Sequence, residues 1–139
     1  MAPDDLAEAA AIEAATFPSP WPIESLEYEL FENPFCSAFV LEAGGRVAAY
    51  AFLWVVHEYA HLVNIAVEGG LRRLGYGERL LVHLLHYAKS NGACRIHLEV
   101  RENNEAAISL YQKYGFTILG RGENYYTDGT AAVFMEAEL

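Results

Sequence analysis

A glycine-rich segment in the middle of the chain has the composition of an anion-binding loop. Residues 68–77 contain two adjacent arginines, Arg72 and Arg73, which are followed by Gly75 and Gly77. An apolar run precedes the segment, and apolar residues with helical period follow it. A strand that enters a helix through such a loop exposes backbone N–H groups at the positive end of the helix dipole. The segment predicts a site for a phosphate-like group, although an ordinary strand-to-helix turn has a similar composition.

The two common nucleotide-binding loops do not match this segment. The GxxxxGK[ST] spacing of the mononucleotide loop is absent. The dinucleotide fingerprint requires a third small residue where Leu80 stands, and Arg95 lies near the position of the acid that binds the ribose. The interpretation that remains is a pyrophosphate bound by backbone amides with arginine charge nearby.

Two further residues have side chains that can move a proton. Glu99 lies at the end of an apolar run, and Tyr111 lies on the next predicted helix. By residue type alone, a strand carboxylate is most often solvated and a tyrosine at this helical spacing is most often packed in the core. His97 shares a strand face with Glu99, as a helper base or as a packed residue. The other histidines pair across a strand connection or on a polar helix face, so no metal site is predicted.

Apolar periodicity and turn signals predict the elements that position these residues. Asn103 or Asn104 is expected to cap a helix, and Gly44-Gly45 predicts a tight hairpin. In chain order the sequence predicts two helices (4–15 and 22–31), three strands (37–43, 46–56 and 61–67), a helix ended by 91–92, a strand (95–100), a helix ended by Gly115, and two strands (116–120 and 131–138). This order favours an α/β or α+β layer fold with a mixed sheet.

Length and composition predict one domain over residues 1–139. A chain with 53% hydrophobic and 20% charged residues is neither disordered nor low in complexity. Its net charge of -10 disfavours direct binding to nucleic acid or anionic lipid and suits a basic partner, although acidity also favours solubility. No apolar run approaches the length of a membrane span and no targeting signal opens the chain, so we expect a cytoplasmic protein.

Several motifs resemble those of the GNAT superfamily of acyl-coenzyme A N-acyltransferases. Residues 64–67 (Asn-Ile-Ala-Val), followed by 72–77, are similar to a strand and loop that typically end in Arg/Gln-x-x-Gly-x-Gly/Ala. The run 98–116 is similar to the second half of the same family and narrows the match to the RimI type, the ribosomal-protein-alanine N-acetyltransferases. The segments 17–21 (Phe-Pro-Ser-Pro-Trp) and 124–126 (Asn-Tyr-Tyr) also resemble that type.

The resemblance implies both a fold and a cofactor site. It implies a mixed, mostly antiparallel sheet flanked by helices, in which the strands ending at Val67 and Val100 splay around acetyl-CoA, the co-substrate. The positions that match the cofactor site are Ile65, Ala66, Val67, Arg72, Arg73, Leu74, Gly75, Tyr76, Gly77 and Asn104. Asn104 is equally suited to be a helix cap.

The resemblance also implies catalytic roles and an acceptor. Glu99 matches the carboxylate that accepts the amine proton, and Tyr111 matches the tyrosine that gives a proton to the departing thiolate. An α-amine loses its proton at neutral pH for roughly 3 kcal/mol less than a lysine does, so a modest base suffices. The implied acceptor is the N-terminal amine of a basic small-subunit ribosomal protein. Two alternatives stay open: a lysine, polyamine or small-molecule amine as acceptor, and a coenzyme A-binding module without turnover.

Two departures from the family pattern bear on the sheet edge and on the acceptor. Residues 3–5 already begin a helix where the family has a strand, which predicts a shortened sheet edge. Thr130 and Ala131 stand where the family commonly has two acidic residues. A contact between those acidic side chains and a peptide acceptor is therefore not expected in this chain.

Overall fold

The computed structural model describes residues 1–139 and contains four helices and six strands. The helices are α1 (Leu6–Thr16), α2 (Ile23–Phe31), α3 (Tyr76–Ser90) and α4 (Glu105–Lys113). The strands are β1 (Cys36–Ala43), β2 (Arg46–Val56), β3 (Tyr59–Val67), β4 (Arg95–Arg101), β5 (Thr117–Gly122) and β6 (Ala132–Glu138). Short 3₁₀ helices cover Pro3–Asp5 and Gly69–Leu71.

All six strands belong to one sheet in the order β1-β2-β3-β4-β6-β5. The β3–β4 pair is parallel and is connected by α3, whereas the other neighbouring strands are antiparallel. The turn between β1 and β2 is Gly44-Gly45, and both glycines have positive φ, as a tight hairpin requires. The expected mixed, mostly antiparallel sheet flanked by helices is confirmed.

Helices cover both faces of the sheet. The larger apolar cluster lies between the sheet and α3 and α4, and it includes Leu98 and its alternate neighbours on β4. A smaller cluster joins α1 and α2 to the opposite face, where Tyr50 and Phe52 are fully buried. Because strand side chains alternate between faces, Glu99 points to the α1 and α2 side.

The ends of the predicted elements differ from the structure by no more than two residues. Pro22 is the N-cap of α2, with extended backbone, rather than its first helical residue. Residues before α1 form no strand, and the Met1 ammonium donates a hydrogen bond to the Ala38 carbonyl on edge strand β1 (2.7 Å). None of the helices has both the length and the apolar composition needed to cross a lipid bilayer.

Candidate active site

The parallel strands β3 and β4 separate partway along their length. Their pairing ends at Leu62 and Leu98. The next residue, Val63, has no partner on β2, which is the geometry of a β-bulge. Beyond it, Asn64–Val67 pairs only with β2, and Glu99–Arg101 pairs only with β6. The expected splay is therefore present, and the edge of β3 presents unpaired backbone groups to the gap.

Two adjoining cavities occupy this gap and its approach. The smaller, of about 170 Å³, contains Glu99 and the strand ends. The larger, of about 560 Å³, extends to the N-terminus of α3. The residues that line both are Phe17, Ile65, Arg101, Asn104 and Tyr111. The two cavities therefore form one cleft, with Tyr111 at the junction.

The loop before α3 presents backbone donors that have no partner in the protein. Gly75 adopts the left-handed conformation (φ 83°), and its carbonyl accepts the first hydrogen bond of the helix, from the N–H of Arg79 (3.0 Å). The N–H groups of 76–78 lie ahead of that bond, and those of 72–75 donate to no protein group. A Cβ on Gly77 would lie 3.3 Å from a methyl group of Val67, so glycine allows α3 to begin tightly against β3. This arrangement fits a pyrophosphate group.

The predicted cofactor residues divide into two groups. Those that line the larger cavity are Ile65, Ala66, Val67, Arg72, Gly77 and Asn104. The guanidinium of Arg72 donates to the Val67 carbonyl (3.4 Å) and to the Thr16 hydroxyl (3.1 Å), so it braces the loop against β3 and α1. The side chains of Arg73, Leu74 and Tyr76 do not line the cavity, and these residues, like Gly75, can offer only backbone groups to it. Asn104 also caps α4 by accepting a hydrogen bond from the N–H of Ala107 (3.2 Å).

Glu99 lies in the smaller cavity, where it contacts a histidine. Its Oε2 is 2.7 Å from Nε2 of His61, and both side chains are about one-fifth exposed. Burial alone would raise the pKa of Glu99. The hydrogen bond and charge of His61, together with the charge of His97, lower the pKa by more than burial raises it, so it lies below its ordinary value. Glu99 is therefore ionised at neutral pH and lines the cleft.

Tyr111 brings a free hydroxyl to the junction of the two cavities. Its side chain is buried, with 6% of its surface exposed, and packs against Phe116 at 5.6 Å between ring centroids. Its hydroxyl hydrogen-bonds to no protein group and is not sealed from the cleft. Burial, aided by nearby Tyr126, raises the pKa of Tyr111 above its ordinary value, so the hydroxyl is protonated at neutral pH.

A buried carboxylate lies beneath the cleft. Glu13 on α1 is 2% exposed. Its carboxylate accepts hydrogen bonds from the Tyr50 hydroxyl (2.5 Å), the Asn64 side-chain amide and the backbone N–H of Trp21 (3.3 Å). Burial, followed by the hydrogen bond to Glu13, raises the pKa of Tyr50 well above its ordinary value. The network ties α1 to β3 next to the β-bulge, where the strand parts from β4.

Two loops that contribute residues to the cleft contact each other. The Ser19 hydroxyl, between α1 and α2, is 2.5 Å from that of Thr127, between β5 and β6. In the second loop, Asp128 pairs with Arg101 of β4 (2.8 Å), and the Arg101 guanidinium lies 4.1 Å from the ring centre of Tyr126. Ser19 also lines the smaller cavity, so the Ser19–Thr127 contact lies at the edge of that cavity.

A comparison with known families identifies this arrangement. The model of the Acetyltransferase (GNAT) family matches residues 6–116. The chain belongs to the GNAT acetyltransferase family. Members of this family use acetyl-CoA, so the expectation of an acetyl-CoA-dependent N-acetyltransferase is confirmed.

Similar proteins support a narrower grouping within the GNAT family. A putative ribosomal protein bS18-alanine N-acetyltransferase from Bacillus subtilis (strain 168) is 38% identical over 133 residues, which are 95% of this chain and 88% of that protein. A ribosomal protein bS18-alanine N-acetyltransferase from Escherichia coli (strain K12) is 43% identical over 93 residues, 66% of this chain and 63% of that protein. The crystal structure of the ribosomal-protein-S18-alanine N-acetyltransferase from Escherichia coli superposes with a TM-score of 0.91 at 35% identity, covering 99% of this chain and 90% of the other.

In this GNAT chain, the loop, Glu99 and Tyr111, which the sequence singled out, lie around one cleft. Two contacts of the cleft were not predicted from the sequence. Sequence reasoning did not find the Glu13 network, although a carboxylate on the apolar stripe of α1 was a usable signal. It also missed the contact between His61 and Glu99. That contact depends on the register of β3 against β4, for which the sequence carries no local signal.

Proposed function

We propose that this protein transfers an acetyl group from acetyl-CoA to the N-terminal α-amine of a small-subunit ribosomal protein. The observation that carries the proposal is the single cleft that joins the unpaired loop N–H groups to Glu99. The bS18-alanine activity in the names of the Bacillus subtilis and Escherichia coli relatives supports this acceptor, and the net charge of -10 suits a basic one. A single domain over residues 1–139 and a cytoplasmic location are part of the proposal.

The loop before α3 is the proposed cofactor end of the cleft. When bound, acetyl-CoA supplies an acetyl group that is activated as a thioester. The N–H groups of 72–78 and the dipole of α3 would bind its pyrophosphate. Backbone groups of Ile65–Val67 on the free edge of β3 would pair with the pantetheine arm and polarise the thioester carbonyl. Asn104 contributes its side chain where the two cavities meet.

Glu99 is the proposed proton acceptor. An α-amine is mostly protonated at neutral pH and must lose a proton before its lone pair can attack the carbonyl carbon. The ionised Glu99 carboxylate takes that proton directly or through a water molecule. The α-amine, with a pKa of about 7.7 to 8.0, places a smaller demand on this base than a lysine with a pKa of about 10.4.

Tyr111 is the proposed proton donor to sulfur. As the bond between carbon and sulfur breaks, negative charge develops on the sulfur. The Tyr111 hydroxyl has no competing hydrogen bond in the protein and can donate to that charge. Its raised pKa keeps the hydroxyl protonated at neutral pH, so the O–H is present to donate as charge develops on the sulfur.

The test of the proposal is acetyl transfer to two peptides. One peptide carries the free N-terminus of a ribosomal protein, and the other is blocked there and carries an internal lysine. We expect modification only at the free α-amine, read by mass and by thiol release. Lysine modification would assign the protein to a different acceptor class, and coenzyme A binding without any transfer would indicate a non-catalytic module.

The Glu99→Gln variant tests the site itself. We expect kcat to fall by roughly 10²- to 10³-fold because the amide cannot accept the amine proton. Coenzyme A affinity should not change, because Glu99 lines the smaller cavity and the loop before α3 borders the larger one. Glu138→Gln is the matched control, since that carboxylate is exposed on β6 and outside the cleft. Wild-type turnover in Glu99→Gln would exclude Glu99 as the base.

A further inference from the structure

The parallel register of β3 and β4 places a histidine against the Glu99 carboxylate. His61 and His97 are cross-strand partners, and their rings stack with centroids 4.3 Å apart. On its other side the His61 ring meets Trp54 at 5.5 Å, edge to face. The indole N–H of Trp54 donates to the buried Glu29 (2.8 Å), which fixes the indole in turn. The His61 ring is therefore confined between two aromatic groups, with Nε2 directed at Glu99.

This confinement determines which oxygen of Glu99 is free. His61 is the one side chain that hydrogen-bonds to the carboxylate, and it does so through Oε2 (2.7 Å). Glu99 also lines the smaller cavity, so its second oxygen is available to an amine there. A carboxylate that is fixed at one oxygen loses less rotational freedom when the other oxygen binds substrate.

We propose that His61 is a positioning residue that orients Glu99 toward the acceptor amine and, when protonated, weakens Glu99 as a base. Neutral His61 donates its Nε2–H to Oε2 and leaves the carboxylate free to take the amine proton. Protonated His61 stabilises the negative charge of Glu99, so the carboxylate then accepts that proton less readily. This inference rests on the proposed function.

Other ionisable groups face this pair from β4, β6 and the loop between β5 and β6. Burial, followed by the charge of His61, lowers the pKa of His97, while Glu99 and Glu136 oppose that shift. His97 is therefore neutral at neutral pH. Glu136, opposite His97 on β6, is paired with Arg95 (2.7 Å).

The tyrosines of the loop between β5 and β6 are also neutral. Burial raises the pKa of Tyr126 to about 12, and burial and the Glu99 charge raise the pKa of Tyr125. Arg101, on the same strand face as Glu99, is paired with Asp128. His61 is therefore the one of these groups whose side chain hydrogen-bonds to the Glu99 carboxylate.

The experiment compares the pH dependence of kcat for the wild type, His61→Ala and His61→Gln with an α-amine peptide as acceptor. Glutamine can place an N–H near the position of Nε2 but carries no charge, whereas alanine removes the contact. Near pH 8 we expect kcat of His61→Ala to fall roughly tenfold and that of His61→Gln to stay within about threefold of the wild type, with acetyl-CoA KM unchanged. Exposed His86 on α3 gives the matched control, His86→Gln.

The pH dependence separates a positioning role from simple packing. Ionisation of the peptide amine affects all variants equally, so it cancels in the ratio of kcat between His61→Gln and the wild type. We expect this ratio to rise as the pH falls, because glutamine cannot acquire the charge that a protonated imidazole places beside Glu99. A constant ratio, or His61→Gln as slow as His61→Ala near pH 8, would overturn the inference.

The remaining outcomes are also decisive. If circular dichroism shows that His61→Ala does not fold, the pH dependence of the kcat ratio between His61→Gln and the wild type tests the inference by itself. If the wild type acetylates a different class of amine, the proposed acceptor is wrong, and the same pH series with that amine tests His61 independently.

Discussion

The two ends of the cleft are built in different ways. The loop before α3 offers backbone N–H groups from one continuous segment, 72–78, and its shape depends on Gly75 and Gly77. The end that contains Glu99 is lined by residues from α1 and the loop after it, from β3, β4 and α4, and from the loop between β5 and β6. A site made of backbone groups is therefore encoded locally, whereas a site made of side chains depends on how distant segments pack together.

Tyr111 lies between the two ends, and its replacement has a larger expected effect than changes at Glu13 or Gly75. In Tyr111→Phe we expect kcat to fall roughly 100-fold, because the developing charge on sulfur loses its donor. Coenzyme A affinity and the free energy of unfolding should change little, because the hydroxyl makes no hydrogen bond within the protein. Steady-state kinetics measures kcat, calorimetric titration measures coenzyme A affinity, and urea denaturation measures the free energy of unfolding. Tyr114→Phe, at the C-cap of α4, is the control. Equal turnover of Tyr111→Phe and the wild type would refute the assignment.

Glu13 tests whether the side-chain end depends on its buried network. Glu13→Ala leaves the Tyr50 hydroxyl and the Asn64 amide without their shared acceptor, so we expect a loss of about 2 kcal/mol in the free energy of unfolding. Glu13→Gln keeps one oxygen acceptor and should lose less. Urea denaturation measures both, with the exposed Glu24→Ala as control. Equal stability of Glu13→Ala and the control would contradict this account.

The Gly75→Ala variant tests the loop before α3, and its expected effects on stability and on coenzyme A affinity are the smallest of the three. A side chain at φ 83° is strained even though a Cβ there would meet no atom within 4 Å. We expect Gly75→Ala to lose about 1 kcal/mol of stability and to bind coenzyme A roughly fivefold more weakly. Gly69→Ala is the matched control, because that position is equally open and its φ is not positive. Unchanged coenzyme A affinity in Gly75→Ala would show that binding does not require the left-handed turn.

Most of the fold follows from local patterns in the sequence. The helical period of Leu80, Leu81, Leu84 and Ala88 locates α3, and all four residues are buried. The Gly44-Gly45 pair locates the first hairpin. Such features act over a few residues, so sequence reasoning finds them without knowing which strands are neighbours.

The features that sequence reasoning missed are those that depend on long-range pairing. The bulge at Val63 exists only in the register of β3 against β2, and the contact of His61 with Glu99 joins residues 38 positions apart. The roles of Glu99, Tyr111 and the cofactor residues stay predictions, since their placement in one cleft is geometry rather than activity. The experiments above measure what that geometry does.

The separation of β3 and β4 affects which substrate binds first and how rigid the strand ends are before it binds. Each strand end is paired on its outer side and lacks a neighbour on its inner side. A ligand with amide groups along its length can take the place of the absent neighbour and extend the sheet across the gap. We expect backbone amides on the inner edge of β3, within Asn64–Val67, to exchange with solvent faster before such a ligand enters than afterwards. The acetyl donor would then temporarily become a structural element of the enzyme, and the acceptor would meet a site that the first substrate has helped to build.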